Sequence, residues 1–154
     1  MVLRDLSMQI RDKFSLPGGE IENYKLRMLI EKLKMREKQV IAHEMAHKAV
    51  GGQYAGAVHY TYTRGPDGRN YITGGEVSID VSPEADPEET IRKMQIVRAA
   101  ALAPADPSPQ DLAVAQRATA LEMRARMELV KKRYTEGEGA LQKTDSESTF
   151  QAEA

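Results

Sequence analysis

A chain of 154 residues has room for one domain built on one core. It has no cysteine, which excludes disulfides, thiolate metal sites and a cysteine nucleophile, so any transition metal must be held by histidine and carboxylate. A formal net charge of -1 excludes a global pull toward nucleic acid or anionic membrane.

Aromatic residues are 5% of the chain and tryptophan is absent. The core must therefore rest on Leu, Ile, Val, Met and Ala, which suits packed helices. Residues 1–16 carry Leu3, Leu6, Ile10 and Phe14 at helical spacing, and Pro17-Gly18-Gly19 reads as a stop. The first residues, with Arg4 and Asp5 among them, do not make a secretory signal, and no run has the length of a membrane span, so a cytoplasmic setting is expected. From Glu20 to about Val50 no Gly or Pro interrupts a run rich in Leu, Met, Glu, Lys and Ala, which predicts a long helix ended by Gly51-Gly52.

The texture then changes. Val58-His59-Tyr60-Thr61-Tyr62-Thr63 favours a strand, and Gly65-Pro66-Asp67-Gly68 a turn. Asn70–Thr73 and Glu76–Val81 read as returning strands broken at Gly74-Gly75, giving a hairpin or small antiparallel sheet. Asp86-Pro87-Glu88-Glu89 starts a helix that reaches about Ala103: an N-cap acid, proline at the first position, acids in the first turn. Ser108-Pro109-Gln110-Asp111 repeats that signal for a last helix to about Tyr134. Its basic run, Arg124, Arg126, Lys131, Lys132 and Arg133, is interleaved with Glu122 and Glu128 and reads as a solvated face. Residues 135–154 are polar with little to bury and are expected to be disordered. The domain proper is thus residues 20–134, preceded by a helix and turn over 1–19.

The chemistry is concentrated in His43-Glu44-Met45-Ala46-His47, an HExxH pattern inside the predicted long helix. Residues four apart share a helix face, so two imidazoles at this spacing can reach one zinc ion, and the adjacent glutamate is placed to take a proton from a water that the metal polarises. Leu26, Leu29, Leu33 and Val40 form an apolar stripe that extends onto His43 and His47, with Arg36 as an imperfection. Two imidazoles thus stand where the helix would bury Leu or Val, and buried polar groups need partners.

Catalytic zinc takes three protein ligands. The positions three and six past His47 are Val50 and Gln53, so the third ligand comes from elsewhere. Glu76, after the paired glycines 74 and 75, and His59, near in sequence, are the candidates. Asp80 shares strand parity with Glu76 and is a candidate to orient a ligand histidine. Tyr60, Tyr62 and Tyr71 are candidate donors to a developing oxyanion.

The segments Leu33–Glu44 with Ala46-His47, Gly51–Gly56, Tyr60–Tyr62, Arg64–Arg69, Gly74–Asp80, Ile91–Met94 and Ala99–Pro104 resemble the SprA-related family, over roughly residues 33–120. The resemblance implies a bacterial, zincin-like zinc metallopeptidase. Its Gly-Glu-Val hallmark falls on Gly75-Glu76-Val77, which implies Glu76 as the third ligand over His59. The expectation is an α+β fold, mostly helical: a reduced zincin-like domain with a long HExxH helix packed on a small antiparallel sheet and two further helices. One zinc per chain is held by His43, His47 and Glu76, Glu44 is the general base, and the substrate is a peptide or protein. A non-catalytic zinc-binding or protein-interaction module is the alternative. Oligomeric state is left open by the sequence.

Overall fold

A computed structural model of the chain describes residues 17–150, with side-chain surroundings for residues 18–137. The expected helix over residues 1–16 lies outside them. In order come helix α1 (Pro17–Gly51), a single 3-10 turn (Gly52–Tyr54), strands β1 (Ala55–Arg64) and β2 (Asn70–Ile79), and helices α2 (Pro87–Ala101) and α3 (Pro109–Phe150). Among the described residues, three helices and one two-stranded antiparallel sheet make the fold α+β. Among the described residues, no helix is long and apolar enough to cross a membrane.

Helix α1 starts earlier than composition suggested. Pro17-Gly18-Gly19 belongs to it, and the stop these residues were expected to give a helix over residues 1–16 lies outside the described residues. The far end of α1 obeys the glycine signal: Gly52 has φ +52° and turns the chain into β1. Strand β2 runs unbroken through Gly74-Gly75. Helix α3 continues to Phe150, past the expected end at Tyr134 and through much of the segment expected to be disordered. No proline follows Pro109, and a glycine such as Gly137 costs a helix only about 1 kcal/mol without ending it.

The chain divides into two compact units, one holding α1 as far as Ala42 with His59–Glu76, the other His43–Val58 with the chain from Val77 onward. In the first, the side chains of α1 partner the backbone of β2. Glu37 Oε2 accepts the Ile72 N–H at 2.8 Å and Arg36 Nε donates to the Thr73 carbonyl at 3.0 Å. Arg36, which broke the apolar stripe, is thus used on the strand. Tyr71 is 1% exposed, and its hydroxyl donates to Asp67 Oδ2 in the turn at 2.6 Å.

In the second unit α2 packs on α3. Met94, Val97 and Ala118 are fully buried, and Tyr54, Ile79, Val81, Val114 and Leu121 close around them. Ala100, Ala101, Ala115 and Ala125 are buried too, and their small side chains let the backbones approach closely. Both helix starts follow the sequence signals. Asp86 Oδ1 accepts the Glu88 N–H at 2.8 Å with Pro87 at the first position. At α3 Ser108 and Asp111 form a reciprocal capping box: the Asp111 N–H donates to Ser108 Oγ at 3.1 Å, and the Ser108 N–H to Asp111 Oδ2 at 2.8 Å. The helices are clasped by buried Glu122, which accepts from Arg98, from Arg126 at 2.6 Å and from Gln95 at 3.2 Å.

Candidate metal centre

His43, Glu44 and His47 lie on the last turns of α1, in line with buried Val40. That face is the inward one: Glu44 is 3% and His47 2% exposed, while His43 is partly open. The rings of the two histidines meet edge to face, 4.9 Å between centroids and 79° between planes, and their Nε2 atoms stand 3.2 Å apart.

The residue that completes the group is Asp111, on the first turn of α3. Its Oδ2 is 3.2 Å from His43 Nε2 and its Oδ1 3.3 Å from His47 Nε2. Among the described residues, His43, His47 and Asp111 are the group whose ligand atoms converge as a metal site requires. Glu76 is exposed on β2 and belongs to the first unit; it is not in this group. Nor is His59, exposed on β1. Asp80 pairs with Lys93 Nζ at 2.8 Å, and Tyr71 is committed to Asp67.

The donor set fits a divalent cation. The His47 ring places Nδ1 2.8 Å from the Ala100 carbonyl, an acceptor, so Nδ1 carries the proton and donates it. In the neutral ring the Nε2 lone pair then faces the cluster. Asp111 brings a carboxylate. A single Nε2–H on His43 cannot serve both of these acceptors well, whereas one cation satisfies all three. The two Nε2 atoms stand 3.2 Å apart, near the about 3.4 Å expected between two ligands of one tetrahedral ion, and Asp111 meets them with different oxygens, Oδ2 toward His43 and Oδ1 toward His47.

Two local features set this geometry. An added Cβ at Gly51 would meet Ala55 Cβ at 2.7 Å and Ala100 Cβ at 3.3 Å, so glycine there lets α2 bring the Ala100 carbonyl to His47. The capping box fixes Asp111. Burial works against its ionisation, but the hydrogen bonds from Ser108 and the nearby imidazoles outweigh burial and hold its carboxyl below the usual range.

The sequence profile of the SprA-related family matches residues 18–154. The chain belongs to the SprA-related family. This SprA-related protein matches no curated protein and no solved structure.

Proposed function

We propose that this SprA-related protein is a zinc-dependent peptidase of reduced zincin type, with one zinc ion held by His43, His47 and Asp111. The observation that carries the reading is the convergence of two imidazole Nε2 atoms and a carboxylate within 3.3 Å of one another, with a buried glutamate next to the first histidine.

Zinc bound by such a set supplies a water of pKa near ~7 and polarises a carbonyl. The protein's own groups do the rest. Ala100 holds the His47 ring in one tautomer through Nδ1. Ser108 fixes the Asp111 carboxylate. The Glu44 carboxylate takes a proton during attack and returns it to the leaving amine. His43, the most exposed of the three ligand residues, marks the side from which substrate enters.

A second reading is a non-catalytic zinc module, and the burial of Glu44 and His47 favours it. One experiment separates the two. The metal-free protein is titrated with zinc and then incubated with a mixed peptide library under mass spectrometry. Uptake of one zinc with cleavage supports the peptidase, one zinc without cleavage supports the module, and no uptake removes both.

A further inference from the structure

The face of α3 turned away from α2 has no role in the proposed centre. Met123, Met127, Val130 and Tyr134 are 64%, 72%, 64% and 70% exposed. Their spacings of four, three and four are those of a coiled-coil seam. With Met127 and Tyr134 at a, and Met123 and Val130 at d, the e positions are Arg124 and Lys131 and the g positions Arg126 and Arg133. Every seam-flanking position is basic. The acids of this stretch, Glu122 and Glu128, fall at c and b respectively, away from the seam. Arg133 reaches back to Glu88 and Arg124 to Glu128 through exposed, weakly held pairs, while Arg126, itself 56% exposed, also bonds the buried Glu122. Ala125, at f, is buried on the opposite face, so the seam is a second face and not the margin of the core.

From this pattern we infer that the outward face of α3 docks an acidic amphipathic helix of a partner protein. A second copy of α3 fits poorly. Parallel pairing sets e against g and antiparallel pairing sets e against e, so either puts Arg and Lys against Arg and Lys. A lipid surface fits poorly as well. An interfacial helix needs a broad apolar face, and this one is a single a/d seam bounded by charge on both sides. A helix with apolar a and d residues and Glu at e and g complements both features. The inference is independent of the zinc reading.

The test uses the full chain and a fluorescent synthetic peptide of about three heptads, with Leu at a and d and Glu at e and g. Anisotropy should show binding that weakens as salt rises. The double variant Met127→Glu/Val130→Glu, with an unchanged circular dichroism melt, should weaken it at least about tenfold. Arg124→Glu/Lys131→Glu should weaken it while improving binding of the same peptide carrying Lys at e and g. No binding of the acidic peptide, equal binding of the Lys peptide by wild type, or binding indifferent to the Met127/Val130 variant would overturn the inference. So would phosphatidylserine vesicle binding or self-association in sedimentation that this variant abolishes, since each identifies a different occupant.

Discussion

His43 and Asp111, 68 residues apart in the chain, meet at 3.2 Å through Nε2 and Oδ2. The same Oδ2 accepts the Ser108 N–H at 2.8 Å, so one carboxylate both caps α3 and completes the histidine pair. Cap and centre are therefore coupled, and the two roles can be separated by mutation.

Ser108→Ala removes the cap's hydroxyl but keeps the carboxylate. It should cost about 1 kcal/mol of stability and change zinc affinity little. Asp111→Asn keeps the shape of the side chain but loses its charge, and should weaken zinc binding at least about tenfold. Glu76→Gln should leave the affinity unchanged. Urea denaturation and zinc titration on the three variants check this; equal zinc affinity in Asp111→Asn and wild type would remove Asp111 from the site.

Glu44→Gln should keep the zinc and lower peptide turnover by about 10²–10⁴-fold. Measuring metal content and cleavage rate on one preparation tests it. Turnover equal to wild type would end the role assigned to Glu44.

Gly51→Ala should gain helix propensity, worth about 1 kcal/mol, yet destabilise the protein by about 1–3 kcal/mol net. The new methyl would stand 2.7 Å from Ala55 Cβ. Because Ala100 is the other neighbour and its carbonyl holds His47, zinc affinity should fall as well. A stability at or above wild type in thermal melts would show that α2 can yield without cost.

Lys93, 2% exposed, binds Asp80 at 2.8 Å and Glu84 at 2.7 Å and ties the end of β2 to α2. Its bond to Asp80, with help from Ser82, lowers the Asp80 carboxyl from 3.8 to about 2. A carboxyl depressed by folding stabilises the protein fully above its unfolded pKa, and that contribution disappears as pH falls through the folded value. The stability gap between wild type and Asp80→Asn should therefore be constant above about pH 5 and shrink toward zero near pH 2. Denaturant midpoints across that range test it. A gap that persists at pH 2 would assign the effect to packing rather than charge.

The residue pattern reveals three of the four residues of the proposed centre and hides the fourth. His43, Glu44 and His47 are visible because their spacing matches the helix period and replaces an apolar stripe. The α2 start at Asp86-Pro87 and the α3 start at Ser108-Pro109 are visible because caps are local. Asp111 was hidden by its own locality: an acid in the first turn of a helix is fully explained as a cap, and nothing in its neighbours points across to α1. The offset of Arg36 from the stripe had a cause, its bond to Thr73, that only the returning strand supplies. The helical backbone of α3 reaches Phe150, past the expected end at Tyr134, since polar composition argues against burial but not against a helix.

The most direct measurement is a zinc-edge anomalous diffraction map of crystals grown with zinc. One peak per chain, with His43 Nε2, His47 Nε2 and an Asp111 carboxylate oxygen each about 2.0–2.2 Å away, is the predicted result. A peak ligated by Glu76 in place of Asp111, or no peak between the two histidines, would contradict the account.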